Sequence, residues 1–144
     1  MDLLEYPSCK LYKNGRFRLP NKVRKHFEKL RVKQVVLLAD SQNKIRIIPV
    51  SKWERMKLAE KDKLPVQYPI RAQALAGTFL VLHPVLKQYL SNTENLFFQF
   101  VKADEPNFNE TDKPIWNETG YLIWNEADYE TENMIKIEEM LRPF

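Results

Sequence analysis

The chain contains few of the residue types that several protein functions require. Among its 144 residues there are three glycines, two histidines and one cysteine, Cys9. Three glycines are too few for a phosphate-binding glycine loop, and a single cysteine excludes an intrachain disulfide. His26 and His83 have no neighbouring acids or cysteines at metal-ligand spacing. We therefore expect no enzyme, no cofactor, no metal and no small-molecule substrate.

Long apolar runs are missing as well. The longest ones, 35–39 and 79–82, have the length of a β-strand and are far too short to cross a bilayer. Residues 1–5 include two acids, where a signal peptide has a basic start and an apolar run. These features predict a cytoplasmic protein with no membrane partner.

Charge is distributed unevenly along the chain. Residues 1–64 hold 17 Lys or Arg and 7 Asp or Glu, a net charge of +10, whereas residues 65–144 hold 6 and 12, a net charge of −6. A basic half of this size favours an anionic partner such as nucleic acid, because its positive field raises the encounter rate. A solvated basic face without a partner is the alternative.

The first half predicts a strand with a tight turn, then a helix, then a hairpin. Asn14-Gly15 places the turn within the segment 11–19. Pro20 begins the helix, because proline is tolerated in a first helical turn and apolar residues follow at helical spacing. The hairpin consists of the runs 34–39 and 44–50. The inward residues of the helix are Val23, Phe27 and Leu30, and its outer face carries Lys22, Arg24, Lys25, Lys29 and Arg31.

The same order of elements returns in the second half. Aligning Ile48 with Trp124 places Trp53 opposite Tyr129, and this match in register indicates a duplicated unit. The predicted elements of this half are a strand at 77–82, a helix from Pro84, and a hairpin of 95–101 and 121–124.

A helix is predicted after each hairpin. A capping box at 51–54 begins the first of them, and Asn125 is a typical N-cap residue for the second. The helix after the first hairpin is predicted to reach Asp62, and the helix after the second hairpin is predicted to reach Leu141.

The chain therefore divides into two predicted units. The first spans residues 1–62 and the second residues 77–144, with a proline-containing connector at 63–76. An insertion at 102–118, rich in acids, asparagine and proline, predicts an extended hairpin loop in the second unit.

The segments NGRFRLP at 14–20 and PVSKWE at 49–54 resemble the MraZ family, relatives of AbrB and SpoVT. Residues 77–90 and LIWNE at 122–126 echo the second copy that this family carries. The resemblance implies a strand-dominated α+β fold, in which two tandem swapped-hairpin units form a double-split β-barrel with peripheral helices. It further implies homo-oligomeric rings and a nucleoid-associated transcriptional regulator. Such regulators bind double-stranded DNA repeats upstream of the division and cell-wall gene cluster.

The chain departs from the family motif at several positions. The family has an aspartate four residues before the arginine that Arg16 matches, and Tyr12 stands there instead. In the second copy, Ala74 and Thr78 are expected to match Tyr12 and Arg16. We therefore expect DNA contact to depend mainly on residues 13–25.

Six cations in and after the Asn-Gly turn are the predicted DNA-binding residues. DNA recognition needs cations that neutralise phosphates and planar donors that recognise base edges. Arg16 is the first candidate, and strand alternation places Arg18 on the same side. The alternative is that Arg16 forms an ion pair with an acidic residue elsewhere in the chain and thereby stabilises the barrel. The predicted residues are Lys13, Arg16, Arg18, Lys22, Arg24 and Lys25.

Aromatic residues can stack on unpaired bases, but positions in strands and at helix starts favour packing in the core or between subunits. Trp116, in the insertion, is predicted to contact a neighbouring subunit. The residues predicted to pack are Trp53, Phe79, Tyr89, Phe97, Phe98 and Trp124.

A protein-interaction module is the alternative function. In that case the chain is an antitoxin-like protein or a scaffold without DNA-binding activity, and its acidic tail at 126–139 docks a basic protein. DNA binding weakens steeply as salt rises, whereas the alternative predicts association that is insensitive to salt.

Overall fold

The computed structural model describes residues 5–39, 44–55, 72–75, 79–90, 92–101 and 120–142. They form a strand-dominated α+β fold built on a curled antiparallel half-barrel sheet, as the sequence predicts at this coarse level. The strands are β1 (Ser8–Lys10), β2 (Arg16–Phe17), β3 (Gln34–Ala39), β4 (Ile45–Pro49), β5 (Gln73–Ala74), β6 (Leu80–Val81), β7 (Asn95–Val101) and β8 (Gly120–Trp124). The α-helices are α1 (Asn21–Lys29), α2 (Val50–Arg55), α3 (Pro84–Lys87) and α4 (Glu126–Leu141), and a 3-10 turn (Gln88–Leu90) follows α3.

Some of the predicted features fall on residues that lie outside this description. They are the extension of α2 towards Asp62, the insertion at 102–118 with Trp116, and Thr78.

Six strands form the main sheet, in the order β1-β7-β8-β4-β3-β5. The two predicted hairpins are confirmed: β3 pairs with β4, and β7 pairs with β8. The hairpins join through β4 and β8, where Arg46 faces Leu122 directly. Strands β2 and β6 pair with each other and form a separate two-stranded ribbon, and Phe17 of β2 also forms an isolated antiparallel bridge with Leu11.

The first strand of each half pairs with the hairpin of the other half. Cys9 in β1 faces Leu96 in β7, and Gln73 in β5 faces Val35 in β3. Strand β5 lies within the stretch 63–76 that was predicted to be a connector, so this part of the prediction is wrong. Two residues without apolar alternation give no strand signal, and only the pairing with β3 defines them as a strand.

The main core lies between the concave face of the sheet and the elements that cross it. Helix α1 contributes Val23 and Phe27, and the ribbon contributes Phe17 and Leu80, all of them buried. Alternating residues of the central strands complete this core: Val35, Leu37, Ala39, Ile45, Ile47, Leu96, Phe98, Tyr121 and Ile123.

The opposite face of the sheet is covered by the helices that follow the hairpins. Trp53 of α2 packs on a small cluster that contains Val36 and Ile48. Tyr129 of α4 stacks on Phe97, with ring centroids 3.9 Å apart and an interplanar angle of 4°. Trp53 and Tyr129, matched by the sequence alignment, therefore serve the same purpose in the two halves.

The N-terminus of α4 agrees with the prediction, whereas the N-terminus of α2 does not. Helix α4 has Asn125 as its N-cap, with the side-chain Oδ1 accepting from the backbone N–H of Asp128 at 2.7 Å, and it ends at Leu141 as predicted. Helix α2 begins at Val50, so Ser51 lies inside its first turn and the predicted capping box is wrong. The cause is that β4 continues into the helix without an intervening loop residue.

Candidate nucleic-acid interface

The turn that precedes the ribbon is a tight three-residue loop. The backbone N–H of Tyr12 donates to the carbonyl of Arg16 at 2.9 Å, and that of Gly15 donates to the carbonyl of Tyr12 at 2.9 Å. Gly15 has a φ of 83°, and the Asn14 side-chain oxygen accepts from the Arg16 N–H at 3.1 Å. The predicted Asn-Gly turn is therefore confirmed, with glycine at the left-handed position that such loops require.

Residues of the second half hold this turn in place. The N–H of Leu82 donates to the carbonyl of Gly15 at 2.8 Å, and a Cβ added at Gly15 would lie 2.7 Å from the carbonyl oxygen of Leu82. The Lys87 ammonium donates to the carbonyl of Lys13 at 3.0 Å. Because α3 and β6 support the turn, the first of the predicted cations, Lys13, is presented on a fixed backbone with its side chain exposed.

We expect Gly15→Ala to lower the free energy of unfolding by about 2–4 kcal/mol, because it combines left-handed backbone strain with a backbone clash. Urea unfolding measures the change. Asn14→Ala is the control, since it removes one exposed hydrogen bond worth about 1 kcal/mol. Equal destabilisation by the two variants would contradict the prediction.

The two arginines of the ribbon point away from the core. Phe17, between them, is fully buried, and alternation along the strand leaves Arg16 and Arg18 exposed. Within the described parts of the chain, no acidic side chain forms an ion pair with either arginine. The guanidinium carbon of Arg18 lies 5.9 Å from the ring centroid of Phe79. The alternative of a locking ion pair for Arg16 is therefore not seen among these residues.

Helix α1 presents the other three predicted cations. Lys22 and Lys25 are exposed, and Arg24 is half-buried. Arg24 Nη2 donates to the Asn21 side-chain oxygen at 2.9 Å, and its Nε lies 3.9 Å from a carboxylate oxygen of Glu28. Arg24 is thus held along the helix surface, whereas the two lysines have greater freedom to reach an anion.

The charge around these residues is strongly positive. The continuous segment 5–39 contains ten Lys or Arg and two Glu, an excess of eight positive charges. The six predicted cations come from one turn, from β2 and the residue that follows it, and from the first turns of α1. This arrangement can neutralise several phosphates and present guanidinium donors at the same time.

Helix α3 is the counterpart of α1 in the second half. Pro20 is the N-cap residue of α1, and His83 is the N-cap residue of α3. The third residue after each cap, Val23 and Leu86, is buried in the main core. The two helices therefore match with Pro20 opposite His83.

This match corrects the predicted counterpart of Arg16. Counting back three residues from each cap matches Phe17 with Leu80, which are buried and face each other across the ribbon. Counting back one more matches Arg16 with Phe79. Thr78, which the sequence matched with Arg16, lies outside the described residues, and the described residues place Phe79 at that position instead.

Five of the six aromatic residues predicted to pack do so. Phe98 is fully buried, Trp53 and Tyr89 pack against the core clusters, Phe97 stacks on Tyr129, and Trp124 contacts Tyr6. Phe79 lies outside the core of the chain, and its packing between subunits stays a prediction. Its side chain is 40% exposed, and its ring meets that of Tyr12 edge-on, with centroids 5.7 Å apart. No pattern in the sequence indicates that these two aromatic residues lie together beside the arginines.

A histidine on α1 contacts an aromatic cluster behind the basic surface. His26 Nδ1 and the hydroxyl oxygen of Tyr121 lie 2.6 Å apart, and the ring of Phe100 lies against both. Burial lowers the pKa of His26 below its ordinary value of 6.5, and the charge of Lys29 lowers that pKa further. Burial also raises the pKa of Tyr121. His26 is therefore neutral at pH 7 and adds no charge to the surface.

This pKa shift predicts a loss of stability in mild acid. Well above pH 6.5, His26 is neutral in both the folded and the unfolded chain. As the pH falls below 6.5, the unfolded chain binds a proton that the folded chain excludes, so stability decreases until the pH passes below the folded pKa. We expect His26→Gln to show a smaller fall in Tm between about pH 7.5 and 5.5 than the unmodified chain. Parallel pH profiles would contradict this assignment.

Burial raises the pKa of the Cys9 thiol to about 12, so this group is not a thiolate at neutral pH. Among residues 5–39, 44–55, 72–75, 79–90, 92–101 and 120–142, no group of three or more His, Cys, Asp or Glu side chains is placed to bind a metal ion. In the same residues, no helix has the length and apolar character needed to cross a membrane.

In comparisons with known proteins, no family model, no curated protein and no solved structure matches this chain.

Proposed function

We propose that the chain is a sequence-specific, DNA-binding transcriptional regulator of the MraZ type. The observation that carries this proposal is a set of exposed cations in a segment with ten basic and two acidic residues: Lys13, Arg16, Arg18, Lys22 and Lys25. Arg16 and Arg18 have no acidic partner among the described residues, so their donors are available to DNA. Cations that are not neutralised within the protein are what the phosphate backbone attracts.

The ribbon and helix α1 have complementary tasks in this proposal. A two-stranded antiparallel ribbon fits the major groove, where a guanidinium can donate two hydrogen bonds to guanine. Arg16, on the exposed face of the ribbon, is the candidate for such a base contact. Lys22 and Lys25, on the adjoining helix, are candidates for phosphate contacts that set the register of the protein on the duplex.

The strand pairing supports the proposed swapped-hairpin architecture. Each half places its first strand, β1 or β5, on the hairpin of the other half, and the ribbon takes one strand from each. An exchange of this kind is expected when two tandem units with the same hairpin interlock. We propose that units 1–62 and 77–144 are such a pair, with β5 added to the second.

Selection of bound fragments from genomic DNA tests the function. We expect recovered fragments to share repeats upstream of the division and cell-wall gene cluster, and affinity for them to fall steeply as salt rises. Binding of equal strength to every duplex would overturn the assignment as a sequence-specific regulator. No binding to any fragment would leave the protein-interaction module as the function.

Helix α4 supports a further part of the proposal, a homo-oligomer. Within the helix there are six acidic residues and one lysine, so it lies outside the DNA-facing surface. Its apolar residues Met134, Ile135, Met140 and Leu141 are nevertheless exposed, the last by 75%. Exposed apolar residues on a helix are typical of a surface that another protein covers. A ring of this chain would place the basic segments on one rim.

We expect the double variant Met140→Lys and Leu141→Lys to lower the molar mass in solution, because it places charge in the proposed contact between subunits. Light scattering after size-exclusion chromatography measures that mass. The matched control is Glu138→Gln with Glu139→Gln on the same turn, which raises the net charge by the same amount and leaves the apolar side chains in place. A mass equal to that of one chain before any substitution would contradict the oligomer. It would favour a basic partner protein for the helix.

A further inference from the structure

The exposed face of the β2–β6 ribbon carries two kinds of side chain. Arg16 and Val81 are direct cross-strand partners, so their side chains lie on the same face. Both are exposed, Val81 by 45%. Arg18 extends over the ring of Phe79, which precedes β6 and is 40% exposed. One strand of the ribbon thus presents arginines, and the other presents apolar groups.

The apolar groups occupy the positions that match the arginines. With Pro20 opposite His83, Phe79 matches Arg16, and the same count matches Val81 with Arg18. The second half therefore has a phenylalanine and a valine where the first half has its two candidate base contacts. Equivalent positions in a reciprocal ribbon face the same partner, so a partner recognised by Arg16 also meets Phe79 and Val81.

The backbone groups of Val81 at the edge of the ribbon are already hydrogen-bonded within the chain. The Val81 N–H donates to the side-chain oxygen of Gln73 at 2.7 Å, and the Gln73 side-chain nitrogen donates to the Val81 carbonyl at 2.9 Å. Because these backbone groups are satisfied, another strand cannot add to the ribbon at Val81. An apolar protein partner would also have to bury Arg16 and Arg18 without acids from this chain, which is costly. An anionic partner that also carries apolar groups fits both the arginines and the apolar side chains of this surface.

Duplex DNA contains one apolar group of this kind in the major groove, the C5-methyl of thymine. We propose that Phe79 and Val81 contact thymine methyl groups, so that the second half of the ribbon recognises A·T pairs beside the site contacted by Arg16. The inference rests on the proposed DNA-binding function and assigns part of its sequence preference. Tyr12, edge-on against Phe79, fixes the position of that ring.

Deoxyuridine, which lacks only the methyl group, provides the test. The probe is the duplex most enriched by the wild-type chain in the genomic selection, synthesised once with thymidine and once with deoxyuridine throughout. We expect the wild-type chain to bind the thymidine duplex about fourfold more tightly for each methyl group contacted. The double variant Phe79→Ala and Val81→Ala is expected to bind both duplexes equally.

Three single variants establish whether the methyl preference belongs to these two side chains. Arg16→Ala should weaken binding to both duplexes and keep the ratio between them. Phe100→Ala, which truncates an aromatic side chain of similar exposure elsewhere, should also keep the ratio. Phe79→Leu should retain part of the ratio, because an apolar contact remains, and it guards against misfolding of the alanine variant.

The duplex comparison distinguishes failure of this inference from failure of the proposed function. Equal binding of the two duplexes by the wild-type chain overturns the inference, and so does an unchanged ratio in the double alanine variant. A fall in molar mass of that variant with an unchanged ratio would assign Phe79 and Val81 to a contact between copies instead. Failure of the wild-type chain to enrich any duplex would show that the proposed function itself is wrong.

Discussion

Replacing Arg16 and Arg18 together by alanine is expected to weaken binding to the selected duplex about a hundredfold. A good bidentate arginine contact to a base discriminates by about 1–3 kcal/mol, so the loss of two contacts near the lower end of this range, about 1.4 kcal/mol each, corresponds to two orders of magnitude in affinity. Both side chains are exposed and without acidic partners among the described residues, so their removal should leave the fold intact. Affinity is measured over a range of salt concentrations, with unfolding by urea recorded alongside.

The dependence on salt separates base contacts from phosphate contacts. Each phosphate contact that is lost reduces the slope of log affinity against log salt by about one, whereas a lost base contact leaves the slope unchanged. Lys22→Ala with Lys25→Ala should therefore lower the slope, and Arg16→Ala should mainly relax sequence preference. Arg142→Ala, at the end of the acidic helix, is the matched arginine control. Unchanged affinity together with an unchanged slope in the arginine double variant would show that the ribbon does not contact DNA.

Phe27→Ala is expected to lower the free energy of unfolding by about 3–5 kcal/mol, the range for a large aromatic side chain removed from a core. Phe27 is fully buried, and its ring packs against that of Tyr121, with centroids 5.5 Å apart and an interplanar angle of 73°. This contact packs α1 against the sheet. Since α1 carries Lys22 and Lys25, its loss should also weaken DNA binding.

Phe100→Ala is the control for this prediction. Phe100 belongs to the same aromatic cluster but is 42% exposed, so its truncation should cost about 1 kcal/mol. Urea unfolding followed by near-ultraviolet circular dichroism measures both variants. If the two variants were equally destabilised, Phe27 would not be the anchor of α1.

Elements that depend on local signals were predicted well. The hairpin strands β3, β4, β7 and β8 follow from apolar and β-branched runs of strand length, and the structure places their ends within about two residues of the prediction. Asn125 and the end of α4 at Leu141 were correct, since a capping side chain acts on amides within its own turn. The Asn-Gly turn was correct because glycine alone adopts its backbone angle without strain.

The sequence predicts poorly where a segment carries no local signal for a strand or helix. It also predicts poorly where contacts between distant parts of the chain determine the structure. Strand β5 has no apolar alternation and exists through its pairing with β3. The capping box at 51–54 has the right residues, but α2 continues directly from β4 and begins earlier. The position of Phe79 beside Arg18 gives no signal in the sequence, because it depends on a ribbon whose strands lie far apart in the chain.

The sequence by itself determined the scarcity of glycine, cysteine and histidine, the basic first half, and that Val23 and Phe27 of α1 face the core, whereas Leu30, also predicted to face inward, is only half-buried at the end of that helix. Periodicity carries that information, because the side chains at i, i+2 or i, i+4 share a face whatever the rest of the chain does. The tertiary structure alone decided that β1 pairs with β7, that β5 pairs with β3, and that Arg16 faces Val81. Those choices are made by backbone hydrogen bonds, which are nearly the same for every residue type and therefore leave little trace in the sequence.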